Sequence, residues 1–170
     1  MTVRLGAHAA CLFFAALFSG VVLAESAVGL VTGISDGDTI YVVIDGRSTK
    51  VRLSSIDAPE RKQPFGRVSE GSLRELVGKK TVTLTWDKID RYGRPIVQIE
   101  ADGIDVNAEQ IRRGMAWVYR QYTAEQRLYS LEDDARRGRR GVWADPVPVA
   151  PWLWRRGGGR FELGKIPSSE

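Results

Sequence analysis

The sequence predicts an α+β domain, mainly β: a five-stranded Greek-key barrel with about three α-helices set between and after its strands. Three observations carry this. β-branched residues crowd into short runs, turn pairs such as Asp45-Gly46 and Asp102-Gly103 punctuate them, and helical spacing of apolar residues is confined to stretches between or after the runs. The first three strands are expected at Val28 to Ile34, Thr39 to Ile44 and Ser48 to Leu53, with Asp45-Gly46 as the hairpin turn joining the last two. Between Gly66 and Gly78, Leu73, Leu76 and Val77 follow helical spacing, and Gly78 suits a helix end. Two more strands are expected at Thr81 to Trp86 and Pro95 to Ile99, closed by the Asp102-Gly103 turn. Val106 to Arg113 then reads as a short helix stopped by Gly114. Thr123 to Arg137 reads as a longer one, capped by Thr123, with Leu128, Leu131 and Ala135 on one face. Short strands with a helix inserted partway fit the OB-fold barrel.

The chain has 170 residues and a formal charge of +4. Residues 1–24 carry one early cation, Arg4, then an apolar run to Leu23 ending in Val22-Leu23-Ala24, the pattern of a signal peptide cleaved after Ala24. An uncleaved anchor is the alternative, since the run is nearly long enough to span a bilayer, but Gly20, His8 and Ser19 interrupt it. The expectation is export, to a periplasm or the medium, with no membrane span after cleavage. The only His and the only Cys are His8 and Cys11, so the mature chain would have neither. That excludes Ser–His–Asp and Cys–His catalysis, thiolate or imidazole zinc sites, and disulfides. Any chemistry must use carboxylates, Arg, Lys, Tyr or a metal held by oxygen. The domain is expected over residues 25–147, followed by a Pro/Gly/Arg-rich tail over residues 148–170.

Three clusters supply such groups: Asp36-Gly37-Asp38-Thr39, Arg52 followed by Asp57-Ala58-Pro59-Glu60, and Asp90-Arg91-Tyr92-Gly93-Arg94. Asp38 and Asp57 each fall where a strand meets a loop, a rigid place from which to hold a hard cation such as Ca²⁺. Pro59 stiffens the next turn and leaves Glu60 free to contact a water. Arg52 and Arg94 can each donate paired hydrogen bonds to phosphate. These are the parts of a metal-assisted phosphodiesterase.

Those three clusters, in that order, resemble the staphylococcal nuclease (thermonuclease) family, over about Val28 to Trp143. The resemblance implies Asp38 and Asp57 as calcium ligands with the Ala58 carbonyl, Arg52 and Arg94 as phosphate-binding arginines, and Glu60 as the group acting on water. It also implies a monomeric Ca²⁺-dependent endonuclease on DNA and RNA that cuts the P–O5′ bond and leaves 3′-phosphate ends. Arg91, Tyr92 and Tyr122 are further candidates for substrate contact. Asp36 stands as a supporting acid or a plain turn former. Asn107 to Gly114 and Gly141-Val142-Trp143 also fit the family. The chain departs from it at Ser55, where many members have Gly, at Ala58 in place of Thr, in a short Gln63-Pro64-Phe65-Gly66 segment, and at Arg120, which replaces a stacking Tyr.

Two other classes compete: a non-catalytic OB-fold module that binds nucleic acid, and an envelope protein that uses its basic surface on acidic polymers. Neither needs Asp57, Glu60 and both arginines together. Arg136-Arg137-Gly138-Arg139-Arg140 and Arg155-Arg156 read as solvated helix ends, and Trp152 and Trp154 as aromatics folded back on an apolar surface.

Overall fold

The computed structural model describes residues 24–157. The expected signal segment, apart from Ala24, and the tail beyond Gly157 lie outside the described residues. Among those residues no helix is long and apolar enough to cross a membrane.

Five long strands form the barrel: β1 (Glu25–Asp36), β2 (Thr39–Ile44), β3 (Arg47–Leu53), β5 (Thr81–Ile89) and β6 (Pro95–Ala101). Shorter strands β4 (Ile56–Asp57), β7 (Ile104–Asp105) and β8 (Trp117–Val118) lie between and after them. The main sheet runs β3-β2-β1-β5-β6-β7, and a parallel pairing of β3 with β6, Arg52 beside Ile96 and Leu53 beside Val97, closes it on itself. Alternation fills the interior: Val31, Ile40, Val42, Val51, Leu53, Val82, Leu84, Val97 and Ile99 are all buried. The residues between them along each strand, Arg52 and Ile96 among them, are thereby turned outward.

The helices are α1 (Gly66–Val77), α2 (Val106–Arg112), α3 (Gln126–Arg137) and α4 (Pro151–Arg156). Leu73, Leu76 and Val77 of α1, Ile111 of α2 and Leu128 of α3 join the barrel core. The structure changes three expectations. β1 runs on to Asp36, through two register shifts against β2 that break its alternation. α3 starts at Gln126, not Thr123, because the Thr123 hydroxyl accepts the Glu125 N–H at 3.2 Å and the Tyr129 hydroxyl donates to the Thr123 carbonyl at 2.6 Å, folding Thr123 into a turn. A fourth helix, α4, lies in the segment read as a tail. It packs beside Trp117, Ala135, Val142 and Trp143 through Trp152 and Leu153.

Candidate active site

The two acidic segments meet because of a glycine. A Cβ at Gly37 would lie 1.9 Å from the Ser69 hydroxyl and 2.8 Å from Ala58 Cβ, so no larger residue lets the β1–β2 turn approach the turn after β4 this closely. Gln110 donates to the Gly37 carbonyl at 2.9 Å, and the Leu53 N–H to the Asp38 carbonyl at 2.8 Å, which pins the turn to α2 and β3. Asp36 accepts the Asp38 N–H at 3.1 Å, so its role here is to shape that turn. On the other side, β4 pairs with β8, Asp57 opposite Trp117. It is entered through Ser55 at φ +64°, a left-handed conformation that glycine would adopt with less strain.

Asp38 and Asp57, 3% and 0% exposed, flank one guanidinium. Arg52 Nη2 sits 3.1 Å from Asp38 Oδ2 and 2.8 Å from Asp57 Oδ1, and Nη1 donates to Asp38 Oδ1 at 3.2 Å. Asp38 also accepts the Thr39 hydroxyl at 2.8 Å and the Ala58 N–H at 2.9 Å. Burial raises the Asp38 carboxyl above its ordinary value; Arg52 and these hydrogen bonds pull it down, and Asp36 pushes it further up. Burial works to lower Arg52, but Asp38 and Asp57 outweigh it, so the guanidinium stays charged.

Glu60, next along the chain, is held at its backbone: its N–H donates to Gln63 Oε1 at 3.2 Å and its carbonyl accepts the Gln63 N–H at 2.8 Å. A Cβ at Gly66 would meet the Glu60 carbonyl at 2.0 Å, so the start of α1 also fixes this turn. A residue read from sequence as solvated completes the cluster. Arg155, on α4, donates to Asp57 Oδ2 at 2.8 Å, to Asp57 Oδ1 at 3.1 Å and to Glu60 Oε1 at 2.8 Å. One signal for it was present: Pro151 leads and Gly157 follows a short run, the asymmetry of a helix with a Pro start and Gly end.

Arg94 is not part of this cluster. Asp90 takes its Nε at 2.8 Å and Nη2 at 2.7 Å, along with the backbone N–H groups of Tyr92 and Arg94. Burial of Asp90 opposes ionisation, but these hydrogen bonds prevail and hold its carboxyl below the ordinary value. Arg94 Nη1 makes no hydrogen bond among the described residues. Together with Ser48, Thr49, Lys50, Tyr92 and Gly93, Arg94 lines an open groove of about 580 Å³. Because β3 and β6 pair in parallel, Arg52 beside Ile96, the residues two positions before them, Lys50 and Arg94, come together in that groove. Arg91 donates to the Tyr92 hydroxyl at 2.7 Å, and both Arg91 and Arg94 lie over the exposed Tyr92 ring. Tyr122 is exposed and meets Tyr119 edge-on at 4.6 Å; Tyr119 in turn stacks on Trp152 at 5.9 Å. Arg120 is committed to buried Glu132 at 2.8 Å and so serves the packing of α3.

Among the described residues no three His, Cys, Asp or Glu side chains form a ready cage for a metal. The donor set nevertheless suits a hard cation. Asp36, Asp38, Asp57 and Glu60 outnumber Arg52 and Arg155, and the two buried aspartates lie on either side of one nitrogen, beside the main chain of Ala58.

The sequence model described as staphylococcal nuclease homologue matches residues 50–145, a span holding Arg52, Asp57, Glu60 and Arg94 but not Asp38 or Arg155. An uncharacterized endonuclease of Escherichia coli O157:H7 is 46% identical over 140 residues, 82% of this chain and 92% of its own length. A micrococcal nuclease of Shigella flexneri is 39% identical over 139 residues, covering 75% and 80%. An uncharacterized endonuclease of Haemophilus influenzae is 40% identical over 127 residues, covering 74% and 71%. With the barrel, the acid and arginine motifs in order and these matches together, the chain belongs to the staphylococcal nuclease homologue family.

Proposed function

We propose that this protein is a calcium-dependent endonuclease that hydrolyses phosphodiester bonds of DNA and RNA and leaves 3′-phosphate ends. The observation that carries this reading is the convergence of Asp38 and Asp57, both buried, on the one guanidinium of Arg52, with Glu60 in the same turn. The nuclease and endonuclease names of its relatives point the same way.

Asp38, Asp57 and the main-chain carbonyl of Ala58 would hold the calcium ion, which when bound polarises a phosphate oxygen. Glu60, with its backbone fixed and its side chain partly exposed, orients the attacking water and takes its proton. As the water oxygen bonds to phosphorus, the P–O5′ bond breaks. The departing 5′ oxygen is protonated by solvent, and the phosphate stays on the 3′ side. Arg52 stays charged in its half-buried position and donates to the phosphate oxygens, whose negative charge grows in the transition state. Arg94, which lines the groove and is fixed by Asp90 through Nε and Nη2, holds phosphate from the neighbouring strand, and Arg91, Tyr92 and Tyr122 contact the rest of the substrate.

The test is digestion of plasmid DNA and of an RNA transcript with Ca²⁺ and with chelator. Both should be degraded with Ca²⁺ to fragments bearing 3′-phosphate, and neither with chelator. A protein that retards DNA in a gel but degrades nothing in either condition is a binding module, and the enzyme reading is then wrong.

A further inference from the structure

The reaction as derived has no use for Arg155, yet the chain goes to some length to place it. The Gln63 side chain donates to the Val149 carbonyl at 2.6 Å while its Oε1 accepts the Glu60 N–H, so the approach to α4 is tied to the turn that carries Glu60. Pro151 starts α4, and Trp152 stacks parallel on Tyr119 at 5.9 Å. One turn on, Arg155 spans both Asp57 oxygens and one oxygen of Glu60. With Arg52 also on Oδ1, three N–H groups crowd a carboxylate that offers about four acceptor sites.

We propose that α4 is an autoinhibitory latch. With Arg155 seated across Asp57 and Glu60, the acids intended for a cation and a water are closed to both, and the site opens when α4 lifts away. This rests on the reading of the acids as a calcium site. Asp57 already carries two guanidinium groups, and a divalent ion at contact distance would add two further charges beside them, so of the pair it is Arg155, which also covers Glu60, that has to leave before the ion is seated. The guanidinium stays protonated at any physiological pH, so the latch yields to competition, not to titration. The fold permits the movement: α4 is six residues long and, apart from Arg155, is held through one aromatic stack, one side-chain-to-carbonyl hydrogen bond on the segment before it and the apolar contacts of Trp152 and Leu153.

Because the coupling is reciprocal, removing the latch must tighten calcium binding, and binding calcium must loosen α4. The test is calorimetric titration of Ca²⁺ into the wild type, Arg155→Ala and Arg156→Ala, with hydrogen exchange of residues 151–157 followed with and without Ca²⁺. Arg155→Ala should bind about fivefold or more tightly than the wild type, Arg156→Ala as the wild type does, and Ca²⁺ should speed exchange in α4 of the wild type. Equal affinity of Arg155→Ala and the wild type, or α4 exchange that Ca²⁺ leaves unchanged, overturns the latch and leaves the calcium site standing. An affinity gain matched by Arg156→Ala also overturns it, since lost charge alone would then account for the gain. No calcium binding by any of the three overturns the site reading, and the latch with it.

Discussion

The barrel carries two acid–arginine assemblies built in opposite ways. Asp90 and Arg94 lie four residues apart in one turn, and the same short stretch supplies the backbone N–H groups that complete the carboxylate. The cluster of Asp38, Arg52, Asp57, Glu60 and Arg155 includes a direct contact between residues 98 positions apart, Asp57 and Arg155, and exists only once the barrel has closed and α4 has docked. The aspartates respond in opposite directions. Asp90, whose donors prevail over its burial, is held below its ordinary pKa; Asp38 has donors too, but its burial outweighs them and pushes it above. A satisfied acid positions something else, here Arg94. A fully buried one beside a second buried carboxylate is a place where positive charge is wanted. That contrast separates a structural ion pair from a candidate cation site.

The sharpest way to break the comparison is to remove the cation that the distant cluster shares. Arg52→Ala leaves buried Asp38 without a cation and Asp57 with Arg155 alone, so it should cost about 3–5 kcal/mol in urea unfolding and about 10³-fold in DNA cleavage. A loss confined to one of those readouts would show that Arg52 serves either the fold or the reaction alone. Next is Glu60→Gln, which should lower Ca²⁺-dependent cleavage about 10²-fold while leaving the thermal melting curve in place; near-normal turnover removes Glu60 from the reaction.

Gly37→Ala tests the backbone approach that brings the acids together. It should destabilise by about 1–3 kcal/mol in a denaturant melt and weaken calcium binding as well. Wild-type affinity in this variant would mean that the turn does not set the spacing. The smallest effect belongs to the local pair. Because Asp90 is held below its unfolded pKa, its ionisation contributes stability that is present above the unfolded value and lost as pH falls through the folded one. Asp90→Asn should therefore be less stable by about 1 kcal/mol at pH 7, and the gap should close in acid. A gap constant with pH would contradict the assignment.

The same division decides what could be read from sequence. The Asp45-Gly46 hairpin, the end of α1 at Gly78 and the Asp102-Gly103 turn are written in adjacent residues, and the structure shows them as expected. The barrel was legible because alternation and turn chemistry agree along each strand. Asp38, Arg52, Asp57 and Glu60 were legible as a set because their motifs occur in family order; nothing in the spacing revealed that Gly37 is what lets them meet. Arg155 was not legible. Its role depends on a stack between Trp152 and Tyr119 and a bond from Gln63 to Val149, and a pair of arginines ahead of a glycine looks the same on a solvated helix end. α3 was misplaced for a local reason: Thr123 is a good cap residue, but its hydroxyl was spent on a turn.

The measurement that bears most directly on the whole account is the Ca²⁺-dependent rate of DNA cleavage by Asp57→Asn against the wild type. The substitution keeps the shape of the side chain and removes the charge that faces both Arg52 and the proposed ion. The account predicts a fall of about 10²-fold or more and a rate that no longer responds to Ca²⁺. Wild-type cleavage with full calcium stimulation would contradict it.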